Sequence, residues 1–284
     1  NIGKYQKAQK SYEKAIKINP KFSDAYNNLG VILSDLGRKK DAIYNYSESF
    51  MYNNKNKEAQ LNLINDLTFY TSNEFNYFNN PIIAANNALR DVYYNFTFED
   101  LLNDKNLPIF FNYSNKVFNE VKHIINDLKF DETQTFKRNP SYLNCKRHHR
   151  LFNKFDMIPK FCFSCFKIQI DLKNVLELFK LFFIFDGIKF THNNWRKCMI
   201  EIRPEISGAY KGYIYCSSMI EVNKISEYIF PTLKKFIKCK INIKRGCSEF
   251  YKTFPNYKQT DENEKDFMQY NDKWKKIEEE DDNK

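Results

Sequence analysis

The residues best suited to chemistry in this sequence are its seven cysteines, all of which follow residue 144. In the stretch KFCFSCFKIQI, Cys162 and Cys165 are separated by two residues, a gap that lets a chain fold around one metal ion. Cys145 and His148 are three residues apart, which places both on one face of a helix. These spacings indicate a zinc site or an iron–sulfur cluster. Inert thiols are the alternative, because free cysteine also behaves as a small buried hydrophobe.

The elements that would position these cysteines follow a readable order. Four stretches alternate as strands: FKIQIDL, RKCMIEIRP, AYKGYIYCS and KCKINIKRG. Between them, KNVLELFKLFFIFDG and MIEVNKISEYIFPTLKKFI read as helices, and SYLNCKRHHRLFNKF is a short helix that precedes the first strand. The order β-α-β-β-α-β is the ferredoxin-like arrangement. We therefore expect residues 139–258 to form an α+β domain whose antiparallel sheet has helices on one face and is open on the other.

This topology makes a prediction about the cysteines. The starts of strands one and two share an edge with the ends of strands three and four, so cysteines that are distant in sequence should gather there. The expected ligands are Cys145, His148, His149, Cys162, Cys165, Cys198, Cys216 and Cys247, with Cys239 at the opposite end. Strand parity favours the inert alternative, because it places Cys198 and Cys216 on the helix-covered face.

Nucleophilic or redox thiol chemistry is a third interpretation of the same cysteines. Arg196, Lys197, Lys244 and Arg245 flank the predicted cluster and would lower the pKa of a nearby thiol. The stretch GCSEF also places Cys247 close to Glu249. We find no Gly-rich phosphate loop, no Ser-His-Asp set and no HExxH, so the sequence leans away from an enzyme without excluding one.

The open face of the predicted sheet suggests a different function. Exposed tyrosines on a lysine-rich sheet suit stacking against the bases of single-stranded RNA. The candidate RNA-binding residues are Lys167, Arg203, Lys211, Tyr213, Tyr215 and Lys244. The competing expectation is that another segment covers this face.

The first seventy residues repeat with a period of 34. At this offset Gly3 falls on Gly37, Ala8 on Ala42 and Tyr12 on Tyr46, and further pairs are Ala25 with Ala59, Asn28 with Asn62, and Leu29 with Leu63. The unit AYNNLGVILSDLGRKKDAIYNYSESFMYNN resembles the tetratricopeptide repeat, with Gly30 and Ala42 where two helices touch. The first repeat reads as a second helix only, so we expect further repeats upstream.

The resemblance implies an α-helical solenoid that binds an extended peptide on the inner face of the first helix of each repeat. On this sequence the implied peptide-binding positions are Asp24, Asn27, Val31, Ser34, Asp35, Glu58, Leu61, Asn65, Thr68 and Phe69. None of them is Lys or Arg, so the family's basic clamp for C-terminal carboxylates is missing.

The domain prediction is then repeats over residues 1–70, a helical extension over 71–138, the Cys-rich domain over 139–258 and an acidic, disordered tail over 259–284. The net charge is +10, with the excess of Lys and Arg concentrated in the Cys-rich domain. No apolar run is long enough to span a membrane, and the odd cysteine count favours reduced thiols in the cytoplasm. The leading hypothesis is a protein-binding adaptor with a metal site, and the alternatives are an RNA-binding module or a thiol-dependent modifying enzyme.

Overall fold

The computed structural model describes residues 2–69, 79–128, 134–137, 145–204 and 206–283. The chain divides into two compact units, residues 1–131 and 132–284. The first is helical, and the second is a five-stranded antiparallel sheet with helices. The predicted α+β class is confirmed at this level.

The first unit, called here the helical unit, contains seven helices among its described residues. They are α1 (Ile2–Ile18), α2 (Ser23–Asp35), α3 (Lys39–Tyr52), α4 (Lys57–Phe69), α5 (Pro81–Tyr94), α6 (Phe98–Leu101) and α7 (Leu107–Ile125). Its core is built from one face of α2, α3, α4, α5 and α7, and includes Leu33, Ile43, Leu63, Ile83 and Ile125. The expectation that a third repeat degrades after Tyr70 concerns residues 70–78, which lie outside the described part of the chain.

Helices α2 and α3 approach each other closely at Gly30. A Cβ atom on Gly30 would lie 2.5 Å from the ring of Tyr46, a distance that real Cβ atoms do not show. Both residues are buried, and Ala42 on α3 is fully buried. The small residue is therefore required by the contact between the two helices, as the sequence predicts.

The second unit, called here the α+β unit, carries the sheet. Its elements are β1 (Gln134–Lys137), α8 (Cys145–Phe155), α9 (Lys160–Phe163), β2 (Phe166–Leu172), α10 (Val175–Gly187), β3 (Arg196–Ile200), β4 (Tyr210–Cys216), α11 (Met219–Phe236), β5 (Cys239–Arg245), α12 (Ser248–Thr253), a 3-10 helix (Pro255–Lys258) and α13 (Asp272–Asp282). The strand order across the sheet is β1-β3-β4-β2-β5, and every neighbouring pair is antiparallel.

The two faces of the sheet differ in chemistry. Ile168 and Ile170 of β2 lie beside Ile214 and Gly212 of β4 and point to the face covered by α10 and α11. On that face a Cβ on Gly212 would lie 2.2 Å from Leu181 of α10. The intervening residues of the strands point to the opposite face, because side chains alternate along a strand. That second face, called here the polar face, carries Lys167, Tyr213 and Tyr215.

Strand β1 departs from the expected helical extension over residues 71–138. It adds to the sheet edge by pairing with β3, with Thr135 opposite Cys198. Four residues carry little intrinsic preference, so pairing with an existing edge decides their conformation.

The acidic tail also departs from the expectation of disorder. Residues 272–282 form α13, and Trp274 is buried in a cluster with Phe250, Tyr257 and Met157. Arg147 of α8 contacts Glu278 at 3.0 Å and Asp282 at 2.8 Å, and Arg150 contacts Asp281 at 2.7 Å. The tail therefore offsets part of the positive charge of α8 within the same chain.

Candidate functional site

The polar face of the sheet is the floor of a cavity of about 610 Å³ in the α+β unit. Helix α8 and the start of α12 form its walls, together with the chain that follows β3. Its lining is Gln134, Cys145, Lys146, His149, Lys167, Trp195, Lys197, Met199, Glu201, Ile202, Arg203, Tyr213, Tyr215, Lys244, Cys247, Ser248 and Glu249. Five cationic side chains thus face two carboxylates, a surplus of positive charge.

Cys247 reaches this cavity through a tight turn from β5 into α12. The preceding Gly246 has φ +55°, and a Cβ there would lie 1.9 Å from the Tyr257 hydroxyl. Its N–H donates to the carbonyl of Cys165 at 2.6 Å, which ties the turn to the chain before β2. Only glycine fits at this position, because both the backbone conformation and the space exclude a side chain.

Three side chains from three elements, α8, α12 and β2, converge at Cys247. Ligand atoms of His149, Cys247 and Glu249 all lie within 4.8 Å of one another. His149 is hydrogen-bonded to Cys247, and Lys167 Nζ donates to Cys247 Sγ at 3.5 Å. Among the described residues this is the group of His, Cys, Asp and Glu side chains close enough to hold a metal ion.

The electrostatics of this group favour a thiolate on Cys247. Burial alone would raise the pKa of its thiol, but the Lys167 ammonium and the hydrogen bond from His149 lower it to about 7. The hydrogen bond to Cys247 raises the pKa of His149, which opposes the effect of burial. Burial also works against the charge of Lys167, yet the neighbouring Cys247 raises the pKa of that lysine. The three shifts act in the same direction, since each favours negative charge on Cys247 and positive charge on His149 and Lys167.

The remaining charged residues divide into paired carboxylates and desolvated lysines. Arg203 contacts Glu201 at 2.8 Å and also pairs with Glu249, so one guanidinium holds both carboxylates. Burial, reinforced by Lys167, lowers the pKa of Lys197 and of Lys244 to about 8. An anion entering the cavity would relieve this repulsion among the lysines.

The predicted metal ligands do not meet at one point. The sheet separates Cys198 and Cys216, on the helix-covered face, from Cys145 and Cys165 on the polar face. Cys162 packs instead in the cluster with Phe250 and Trp274. Of the eight predicted ligands, the described structure groups His149 and Cys247, and adds Glu249. His148 is buried against Phe161 with ring centroids 5.3 Å apart.

Burial raises the thiol pKa of the other six cysteines, in contrast to the lowered pKa of Cys247. It raises the pKa of Cys145 and Cys239, raises that of Cys165 to about 11, and also raises the pKa of Cys162, Cys198 and Cys216. These six thiols are therefore protonated near neutral pH, so a reactive thiolate is expected at Cys247 alone among the seven.

The candidate RNA-binding residues line the cavity floor rather than an open platform. Tyr215 is 5% exposed, with Trp195 at 4.7 Å from its ring and Lys167 Nζ at 5.0 Å. Tyr213 is 6% exposed, and Lys211 is buried against Asp171 at 2.8 Å. Lys167, Arg203 and Lys244 line the cavity as described above. Neither Tyr213 nor Tyr215 therefore offers an exposed ring face on which a base could stack.

The implied peptide-binding positions fall into two groups. Asn27 is buried and accepts a hydrogen bond from Asn62 at 3.0 Å, and Ser34 donates to Asp66 at 3.1 Å. These two side chains therefore join neighbouring helices. Val31 is exposed and Leu61 is partly buried, and the remaining described positions, Asp24, Asp35, Glu58, Asn65 and Thr68, are exposed. The side chain of Phe69 lies outside the described part of the chain.

Helix α1 carries a basic face that the sequence-based predictions did not include. Five exposed lysines recur at intervals of three or four residues: Lys4, Lys7, Lys10, Lys14 and Lys17. This spacing puts them on one side of the helix, while Tyr12 and Ile16 pack on the core of the helical unit. The signal for this face is present in the sequence, as lysines at intervals of three or four residues.

A second cavity, of about 710 Å³, lies beside α11, and its lining among the described residues contains no cysteine. Its carboxylate, Glu221, accepts hydrogen bonds from Ser217 and from Asn194 and so is engaged locally. We therefore place the candidate reaction site at Cys247. None of the helices in the described ranges is long and apolar enough to cross a membrane.

Comparison with known proteins bears on the helical unit. Residues 8–80 match the family model of the Est1 DNA/RNA binding domain, a match that covers about a quarter of the chain. No tetratricopeptide family model matches. No curated protein and no solved structure matches the chain. The N-terminal helical region is thus similar to a nucleic-acid-binding family, and its helices are compatible with a solenoid.

Proposed function

We propose that the helical unit binds nucleic acid through the basic face of α1. The observation that carries this proposal is the overlap between the family match over residues 8–80 and a row of exposed lysines on α1. Three of the five lysines, Lys10, Lys14 and Lys17, lie within the matched segment. Phosphate contacts from lysines supply much of the affinity of such proteins.

The geometry of α1 suits a phosphate backbone. From Lys4 to Lys17 the helix advances about 20 Å at 1.5 Å per residue. Their ammonium groups lie on the side opposite the packed residues Tyr12 and Ile16. The only acidic residue of α1 is Glu13, so the face is nearly free of opposing charge. A surface of this kind contacts the backbone and would bind many sequences with similar affinity.

The direct test measures binding of a labelled single-stranded RNA, a single-stranded DNA and a DNA duplex by fluorescence anisotropy. We expect affinity that falls steeply between 50 and 200 mM KCl. Replacing Lys4, Lys7, Lys10, Lys14 and Lys17 together by Gln should weaken binding by about tenfold or more. The salt slope should fall by about 0.7 for each single-strand phosphate that a lysine no longer neutralises. Fold stability should change by less than about 0.5 kcal/mol, because the residues are exposed.

A matched control is available in the α+β unit. Replacing the exposed residues Lys224, Lys234, Lys235, Lys238 and Lys240 by Gln removes the same charge from a different surface. This variant should keep its affinity. Equal losses in the two variants would mean that only net charge matters, and absence of binding at 50 mM KCl would end the proposal.

We also infer finer fold assignments for both units. The 34-residue period and the Gly30–Tyr46 contact support tetratricopeptide-like pairing of α2 and α3. The element order β2-α10-β3-β4-α11-β5 and the strand order β3-β4-β2-β5 support a ferredoxin-like core. A protein-binding role for the repeats would require a peptide on exposed positions such as Val31 and Glu58. The family match favours nucleic acid over a peptide as the partner of this unit.

A further inference from the structure

We propose that the cavity of the α+β unit is a reaction site for a small anionic acyl compound, with Cys247 as the nucleophile and His149 as the proton carrier. The inference is independent of nucleic-acid binding by the helical unit. It rests on the convergence of Cys247, His149, Glu249 and Lys167 at the wall of one cavity.

The arrangement contains the parts that nucleophilic catalysis needs. A thiol requires an adjacent base, and the base requires a third group that orients it. Here ligand atoms of Cys247, His149 of α8 and Glu249 lie within 4.8 Å of one another, and Glu249 also pairs with Arg203. The turn at Gly246 places the thiol where β5 leads into α12, at the wall of the cavity.

The charge of the cavity selects an anion and opposes a metal cation. His149, Cys247 and Glu249 are a possible zinc set by residue type. However, Lys167 Nζ lies 3.5 Å from the same sulfur, and Lys197 and Lys244 line the same cavity. Arg203 already occupies the Glu249 carboxylate. A dication would meet this positive charge, whereas a carboxylate or phosphate would be attracted to it.

The size of the cavity sets the class of substrate. A volume of about 610 Å³ is in the range of sites for small molecules. Apolar and aromatic groups, namely Trp195, Met199 and Tyr213, lie among the lysines and would contact the carbon skeleton of the substrate. The compound we expect is a thioester or an activated ester that carries a carboxylate or phosphate.

The reaction balances with water as the second reactant. The Cys247 thiolate donates an electron pair to the acyl carbon, the S–C bond forms, and the leaving group departs with its bonding electrons. His149 gives its proton to the leaving group. Water then attacks the S-acyl group and yields a proton to His149. The acid leaves, and Cys247 departs with the electron pair as a thiolate, so both residues return to their starting state.

Several titratable groups face Cys247 and will shape its pH dependence. Besides His149 and Glu249 they are Cys145 from α8, Cys162 from α9, Lys167 from β2, Lys197 from β3, Tyr215 from β4, Lys244 from β5, Tyr251 from α12, Tyr257 from the 3-10 helix and, before β2, Cys165. Cys145 lines the same cavity, so it has similar access to reagents but a raised pKa. Cys145 is therefore an internal control: reagents reach it through the same cavity, but its thiol is not activated.

The first experiment compares an anionic and a neutral alkylating reagent on the full chain. Iodoacetate and iodoacetamide both form an S–C bond with loss of iodide, and peptide mass spectrometry gives the rate at each cysteine. We expect Cys247 to react faster than Cys145 at neutral pH, because Lys167 Nζ lies 3.5 Å from the Cys247 sulfur. The rate ratio of iodoacetate to iodoacetamide should be about tenfold higher at Cys247 than at Cys239. Equal ratios at these two cysteines would overturn anion selection.

A matched pair of variants identifies which lysine makes Cys247 prefer iodoacetate to iodoacetamide. Lys244 and Lys240 lie on the same face of β5, but only Lys244 lines the cavity. Lys244→Gln should lower the iodoacetate preference at Cys247 several-fold, and Lys240→Gln should leave it unchanged. The same decrease in both variants would assign the preference to general charge and refute a built site.

The second experiment tests acyl transfer and the metal alternative. Incubation with the S-phenyl thioester of glutaric acid should give an acyl adduct on Cys247 or release of thiophenol, faster than with S-phenyl thioacetate and absent in Cys247→Ser. Zn²⁺ added alone should not protect Cys247 from iodoacetamide at equimolar concentration. Protection by Zn²⁺, or no preference between the two thioesters, would overturn the proposal. Loss of nucleic-acid binding in the α1 variant would leave all these results unchanged.

Discussion

The helical unit and the α+β unit use their cationic side chains in opposite ways. The helical unit exposes a row of lysines on α1. The α+β unit encloses Lys167, Lys197 and Lys244 around a cavity, where burial and mutual repulsion shift pKa values. Exposed charges are screened by water and salt, so they suit reversible contact with a phosphate backbone. Enclosed charges act at low dielectric, so they can change the protonation of a thiol. Similar residues therefore support two different proposals, binding in one unit and chemistry in the other.

The largest expected effect is a loss of stability when the glycine of a turn is replaced by alanine, compared between the two units. Gly246→Ala forces a Cβ against Tyr257 at positive φ and should destabilise the α+β unit by about 2–5 kcal/mol. Gly37 also has positive φ, at +78°, but nothing lies within 4 Å of its Cβ position. Gly37→Ala should therefore cost the helical unit only about 1 kcal/mol.

The chain provides separate readouts for this pair. Both tryptophans, Trp195 and Trp274, belong to the α+β unit, so their fluorescence in a urea titration follows that unit. Peptide-resolved hydrogen exchange follows the helical unit. Equal costs for the two substitutions would show that backbone strain, and not the Tyr257 contact, limits the turn at Gly246.

A second prediction contrasts an enclosed histidine with an exposed one. Burial, reinforced by Arg147, lowers the pKa of His148 to about 4. The unfolded chain binds a proton near pH 6.5 while the folded chain does not, so stability falls as pH drops below 6.5. The α+β unit should lose roughly 2 kcal/mol between pH 6.5 and 5.

His148→Phe should remove most of this pH dependence, because Phe keeps the stacking on Phe161 without a titratable group. Urea titrations followed by tryptophan fluorescence at both pH values give the comparison. His123 in the helical unit is exposed, and His123→Phe should leave the stability of that unit unchanged when unfolding is followed by peptide-resolved hydrogen exchange. A pH dependence that survives His148→Phe would assign it to other groups of the α+β unit.

The smallest expected effect concerns packing inside the helical unit. Gly30→Ala places a Cβ against the Tyr46 ring, which costs about 1–3 kcal/mol, while the gain in helix propensity offsets about 1 kcal/mol. The net loss should be about 1 kcal/mol, measured by thermal unfolding followed by far-UV circular dichroism. In the background of Tyr46→Leu the same substitution should be neutral or stabilising, because the ring edge is gone. Additive losses would mean that the ring is not the obstacle.

Much of the α+β unit could be read from its sequence. The alternation in FKIQIDL predicts a strand, and β2 spans those seven residues. The pattern is readable because the strand face that packs against the helices must be apolar. The helices α10 and α11 follow the predicted segments in the same way. Strand β1 and helix α13 were missed, since their sequences are short or highly charged and long-range contacts stabilise them. Trp274 was the signal for α13, a large apolar residue in an acidic segment.

The candidate site was predicted only in part. Parity along β3 and β4 already placed Cys198 and Cys216 on the covered face, which the structure bears out. Sequence reasoning grouped His149 and Glu249 with Cys247, but it did not predict the contact of Lys167 with the Cys247 sulfur, which depends on how β2 and the turn after β5 pack together. The prediction treated the cysteines as one set of ligands, whereas the environment of each differs.

The sequence by itself determined the helical repeat, the order of helices and strands, and the two faces of each strand, because these depend on local periodicity. The tertiary structure alone decided which cysteine is activated and which lysines are enclosed. Those outcomes depend on distances of a few ångströms between residues remote in the chain and on the exclusion of water around them. Proximity and desolvation set the charge state of a thiol, and neither can be read from spacing along a sequence.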